Sequence, residues 1–169
     1  MILPLAAVFI FLVMKVIPLI SPKGFRTDEF QGVINILTVT FVGFMSAIAL
    51  VVLLAATGHN VHVNELVFAG VGLLFIVLGN YLGKVRKNFF IGIRTPWTLA
   101  SDEVWSRTHR LGGWVFVLIG FFLFLNAFIQ FPEAWLIGAI VVVALVPVVY
   151  SFVIYRNLEG FEEEGPDTD

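Results

Sequence analysis

The sequence predicts an all-α fold, a polytopic membrane helical bundle of five transmembrane helices plus a short interfacial cytoplasmic helix. Three observations carry that prediction. Hydrophobic residues make up 59% of the 169-residue chain, and the mean hydropathy is +0.98. Five stretches are each long enough to cross a bilayer core of about 30 Å, which takes about 20 residues at helical rise. Six of the ten Lys and Arg residues sit in one polar island, residues 84–113, between long apolar runs. Helices are expected because backbone groups in lipid must be satisfied within the segment, and no ten-residue alternation suggests a barrel.

The spans are expected at about 1–20, 30–56, 65–84, 111–131 and 134–155. The first holds one charged residue, Lys15, placed to snorkel toward headgroups from the inner end. It lacks a basic n-region and a small-x-small cleavage site, so a retained helix is expected rather than a cleaved signal. On the second, Asp28, Gln31, Asn35, Thr38, Val42 and Met45 share one side. On the third, Gly72, Gly79 and Gly83 share a face, with Gly79 and Gly83 at GxxxG spacing.

Between the third and fourth spans, Thr95 precedes Pro96 and is biased toward extended geometry, so residues 93–96 should be non-helical. Ser101 then reads as an N-cap, with Asp102 and Glu103 in the first turn where the helix dipole favours acids. Glu103 and Arg107 stand at i, i+4. An unbroken helix over 102–130 would be about 43 Å long at 1.5 Å per residue, too long for the hydrocarbon core. An interfacial helix to about Leu111, then a bend near Gly112 and Gly113, is therefore expected. Trp97, Trp105 and Trp114 are expected at the membrane interface.

On the fourth span Gly113, Gly120 and Ala127 recur every seven residues. These small-residue faces point to interhelical packing; the alternative is a polar groove through Asn35, Thr38, Asn80 and Asn126 that binds a ligand or ion. Residues 1–158 form one transmembrane domain, and 159–169, EGFEEEGPDTD, are expected to be a disordered acidic cytosolic tail.

Orientation follows from the basic residues, because loops rich in Lys and Arg stay in the cytoplasm. Lys23 and Arg26, the six bases of the island, and Arg156 all fall on one side of a five-helix path. The connections around TGHNVHVNE and FPE carry none. The N-terminus is expected outside and the C-terminus in the cytoplasm.

The chemistry legible in the residues is sparse. Cysteine is absent, which removes disulfides, thiolate metal sites and cysteine nucleophiles. Arg94, His109 and Arg110 could form a phosphate or carboxylate site, guanidinium forks suiting bidentate contacts. The alternative is anchoring, in which the basic residues touch anionic lipid heads. His109 with Asp102 and Glu103 lacks an HExxH motif, a clustered second His or a nucleophile, so neither a metal nor catalysis is expected there. His59, His62 and Glu65 share a short outer loop and read as solvated, the alternative being a weak metal or toxin contact. No cofactor is implied. Nucleic-acid binding is not expected, since the bases are interleaved with aromatics and flank spans.

Asn80, Asn88, the run Gly92-Ile93-Arg94-Thr95-Pro96-Trp97-Thr98-Leu99, Trp105 and Thr108-His109-Arg110 occur in the order characteristic of one group. This core, with Pro147, Tyr150 and Ser151 near the end, resembles the SdpI family of bacterial membrane proteins, named for immunity to a sporulation-delay toxin. The resemblance is strong over residues 79–114, and many members carry a further N-terminal helix and polar segment. It implies a helical bundle in the bacterial cell (inner) membrane and resistance to a secreted peptide toxin, without catalysis. Asn80, Asn88, Arg94, Thr95, Pro96, Trp97, Trp105, His109 and Arg110 are the candidate ligand or partner residues. The lipid bilayer, a peptide toxin and a cytosolic regulator are the expected partners. Two other readings stay open: a membrane enzyme or lipid-headgroup-binding subunit using the 88–113 loop, and a small accessory subunit packing through its small-residue faces.

Overall fold

The computed structural model describes residues 2–20 and 30–162. The connection holding Lys23, Arg26 and Asp28 and residues 163–169 of the expected tail 159–169 lie outside the described residues, while 159–162 continue the last helix instead of being disordered. Six helices follow in order: α1 (Ile2–Ile20), α2 (Gln31–Ala56), α3 (Val63–Leu82), α4 (Pro96–Ala100), α5 (Asp102–Ile129) and α6 (Glu133–Glu162). No strand occurs among the described residues. Four helices are long and apolar enough to cross a membrane: Gln31–Ala56, Val63–Leu82, Asp102–Ile129 and Glu133–Leu158. α1 adds a shorter apolar stretch, Leu3–Ile17. The protein is a multi-pass, all-helical membrane protein.

The short connections are built by local polar chemistry. After α2, the Thr57 hydroxyl bonds the carbonyls of Leu53 and Leu54 at 3.0 Å and meets His59 Nδ1 at 3.0 Å. Gly58 supplies a φ of 85°, which residues with a Cβ resist. After α5, Asn126 Oδ1 accepts from the Phe131 amide at 2.8 Å, turning the chain into α6 within four residues. Such short links make consecutive helices antiparallel neighbours.

α3 and α5 form the most extensive pairing; α2 packs on α3, α1 on α2, and α6 on α5, with α4 wedged between α5 and α6. The α3–α5 seam depends on glycine. A Cβ on Gly72 would stand 2.6 Å from the Gly120 carbonyl oxygen, and one on Gly120 would stand 2.7 Å from the Gly72 carbonyl oxygen. Gly79 and Gly113 repeat the reciprocal contact at 2.5 and 2.7 Å. The predicted seven-residue faces on α3 and α5 therefore meet each other, running antiparallel, and let the backbones touch. Gly83 sits at a looser point, its Cβ position 3.8 Å from Arg110 Cα.

Three expectations change. The interfacial helix with a bend at Gly112 and Gly113 is replaced by one helix of 28 residues, about 42 Å at 1.5 Å per residue. Gly112 and Gly113 are contact points rather than breaks, pressed on Ile93 and Leu82 and on Gly79 respectively. The separate short helix is α4, which begins at Pro96, the last of the residues expected to be non-helical. The polar groove does not form. Asn80 bonds the Ile76 carbonyl near the C-terminal end of α3, and Thr38 bonds the Ile34 carbonyl. Asn35 accepts from Gln31, and Asn126 works at the far end of α5.

Candidate functional site

The polar island folds as a loop, residues 83–95, followed by α4 and the first turns of α5, over which the loop closes. Its base is apolar: Val85 and Trp105 pack with Phe30 and Ile34 of the α2 end, all nearly inaccessible. The Trp105 indole N–H donates to the Val85 carbonyl at 2.8 Å, tying the loop's entry to α5. Asn88, fully buried, shapes the next turn. Its Oδ1 accepts from the Phe90 and Ile91 amides, both at 2.7 Å, and its Nδ2 donates to the Arg86 and Ile91 carbonyls at 2.8 and 3.0 Å. One carboxamide thus satisfies four loop groups that would otherwise be stranded.

His109 closes the far side. The Ile93 amide donates to its Nε2 at 2.9 Å, so that nitrogen presents a lone pair. Nδ1 lies 2.8 Å from the Trp105 carbonyl and must carry the proton. Both ring nitrogens are committed and the ring is neutral in this geometry. Its face stacks on the Trp105 indole, centroids 4.0 Å apart at 18°. Gly92 makes room for the ring: its φ is 117°, and a Cβ there would collide with Nε2.

Thr95 then starts α4 through a reciprocal cap. The Thr98 amide donates to Thr95 Oγ1 at 3.2 Å, and the Thr95 amide donates to Thr98 Oγ1 at 2.9 Å. Pro96 takes the first helical position, where its missing N–H costs nothing. The Ser151 hydroxyl donates to the Val148 carbonyl at 2.7 Å, leaving its oxygen to accept from Thr95 Oγ1 at 3.0 Å. Trp97 packs on Phe152 with centroids 5.1 Å apart. α4 is thereby latched to α6. Ser101 caps α5 as predicted, accepting from the Val104 amide at 3.4 Å. Glu103 pairs with Arg107 at 2.5 Å, and Asp102 pairs with Lys87 across the loop.

The nine candidate residues divide. Asn88, Thr95, Trp105 and His109 are buried in this network, and Trp97 is half-buried. Asn80, Arg94, Pro96 and Arg110 are exposed. His109 is withdrawn from the phosphate or carboxylate site expected with Arg94 and Arg110, because both ring nitrogens are occupied and the ring is inaccessible. Trp105 lies in the core rather than at the lipid interface, while Trp114 is 66% exposed as an interfacial indole should be. Sequence reasoning missed the Thr98 half of the cap, legible in the Thr-x-x-Thr spacing, and the Ser151 latch, 56 residues from Thr95, for which no local signal exists.

Loop, α4, α5 and the latch on α6 form one continuous unit, and that unit can be compared with known proteins. Residues 84–151 match the SdpI/YfhL protein family. The resemblance read from the sequence is thereby shown, and the matched region runs from the start of the loop to Ser151. The immunity protein SdpI of Bacillus subtilis (strain 168) is 32% identical over 112 residues, 64% of this chain and 53% of that relative. The chain thus spans about half the length of the curated relative it matches. No solved structure matches the chain with significance. The region that matches the family model is therefore a helical unit running from the loop through α4 and α5 to Ser151 of α6.

Proposed function

We propose that this chain is a non-enzymatic, immunity-type membrane protein that protects a bacterial cell against a secreted antimicrobial peptide toxin. The observation that carries the reading is the similarity to an immunity protein over 64% of this chain, beside a family match that spans the loop, α4, α5 and most of α6. The site's geometry supports it. The loop's buried hydroxyls, carboxamide and imidazole are spent on holding the backbone, an arrangement suited to presenting a fixed surface. In this reading α1 is the fifth span and the N-terminus is outside. The basic loop lies in the cytoplasm, in keeping with its four bases and with Arg107 and Arg110 in the first turns of α5.

A sensitive bacterium expressing the chain should survive a challenge with the cognate peptide, found by screening a panel of secreted peptides. Arg94→Ala, matched for membrane level, should lower that survival, since Arg94 is exposed on a braced loop. A well-inserted wild type that protects against no peptide in the panel would sink the proposal. The exposed Arg94 lies at the end opposite the 57–62 turn, which favours a second role in recruiting a cytosolic regulator. Cross-linking from Arg94→Cys in the cell should then capture a cytosolic protein that His109→Ala, with its loop released, does not.

A further inference from the structure

Where the end of α3 meets α5, glycines leave a gap that basic residues surround. A cleft of about 270 Å³ is lined by Asn80, Gly83, Lys84, Arg110, Gly113 and Trp114, with Val117 at its membrane side. Gly83 and Lys84 also form the wall of a neighbouring cavity of about 510 Å³, bounded by the loop at Arg86 and Lys87 and by Ser106 of α5. The two clefts share a lip, one side facing the span and the other facing the polar loop. Of the island's carboxylates, Asp102 lines the loop-side cavity, paired there with Lys87, and Glu103 is paired with Arg107. The carbonyls at the end of α3 are already capped by the amides of Lys84 and Val85, at 2.9 and 3.2 Å, so the Lys84 and Arg110 side chains are not needed for that purpose. Lys84 Nζ stands over the Tyr81 ring, 4.6 Å from its centroid, which holds the ammonium at the lip.

We propose that this cleft binds the phosphate diester of an anionic membrane lipid. Lys84 and Arg110 contact the phosphate, and the headgroup points into the loop-side cavity. The glycerol and upper acyl chains descend past Trp114 and Val117. An ammonium and a guanidinium on either side of a glycine floor suit a phosphate oxygen set, and an exposed indole suits the headgroup level. The apolar exit along Val117 selects a lipid over free phosphate. The inference is independent of the immunity reading, since it rests on the clefts between the α3 end, the loop and α5 and not on any similarity to a relative.

The test uses the purified full chain in detergent, titrated with short-chain phosphatidylglycerol and, separately, with phosphatidylcholine of the same chains, bound lipid being counted by native mass spectrometry. Phosphatidylglycerol should bind more tightly, and the double variant Lys84→Gln/Arg110→Gln should bind it about thirtyfold more weakly, about fivefold per removed cation. Arg107→Gln removes one positive charge outside the cleft and should leave binding unchanged, against about a fivefold loss for one cation of the cleft. Gly83→Leu keeps every charge and fills the lip. Its Cβ finds room at 3.8 Å from Arg110 Cα, so the fold should tolerate it while lipid binding weakens several-fold. Equal binding of the two lipids, equal loss in Arg107→Gln, or full binding in Gly83→Leu would each overturn the proposal. Displacement of the lipid by inorganic phosphate at constant ionic strength would reassign the site to free phosphate and overturn the lipid assignment.

Discussion

Gly92 and His109 set the residue-scale logic, because each is intelligible only through the other. A Cβ at Gly92 meets the imidazole, and its φ of 117° is one that L side chains resist. Gly92→Ala should therefore free the loop, seen as rapid tryptic cleavage at Lys84, Arg86 or Lys87 in detergent. His109→Ala strands the buried Ile93 amide and should cost about 1–3 kcal/mol from that group alone, with further loss from the emptied space. Thr108 is the contrasting case. Its hydroxyl is the one buried side-chain polar atom among the described residues without a partner. Thr108→Val, of the same shape, should leave thermal stability equal or raise it by up to about 1 kcal/mol, because an unpaired hydroxyl is removed from a buried site. A clear drop in melting temperature would show that the hydroxyl is used.

The helix pairs are set by where side chains are missing. Gly72 with Gly120 and Gly79 with Gly113 put carbonyl oxygens where Cβ atoms would otherwise be. Gly79→Leu should force α3 from α5 and destabilise by at least the 1–3 kcal/mol of ordinary overpacking, because the obstacle is backbone. Gly83→Ala, at an open point of the same face, should be nearly neutral. The melting temperatures of these two variants in one detergent decide whether the seam or the mere presence of glycine matters. The α4 latch is a weaker link: Ser151→Ala removes one hydrogen bond to Thr95 and should cost about 1 kcal/mol. Its signature is a looser α4, read as faster amide exchange at Trp97 and Thr98, with the α3–α5 seam unchanged.

For the whole molecule the decisive quantity is which end faces the cytoplasm. The chain has no cysteine, so single substitutions report cleanly. Asn60→Cys in the turn between α2 and α3 should react with a membrane-impermeant maleimide on intact cells. Arg94→Cys should react only after permeabilisation, both positions being exposed. The reverse pattern would invert the proposed topology and place the loop on the side a secreted peptide reaches first.

Charge-free runs of eighteen or more residues made the four long helices legible, because lipid imposes its length and polarity on every spanning segment alike. The glycine faces of α3 and α5 could be read from spacing, since their period survives in the sequence, and the Ser101 cap and the Glu103–Arg107 pair are contacts within one or two turns. The direction in which a polar side chain points was not legible. His109, Trp105 and Asn88 have the composition of a ligand site, yet all three turn inward, because the loop's stranded amides and carbonyls claim them first. Burial of a backbone polar group without a partner is costly, and only the tertiary structure shows which side chain is near enough to answer it. The sequence by itself determined a helical membrane chain with one basic end. The tertiary structure decided that Gly112 and Gly113 join helices instead of bending one, and that Ser151 latches α4. It also showed that Lys84 and Arg110, rather than His109, border an open basic cleft.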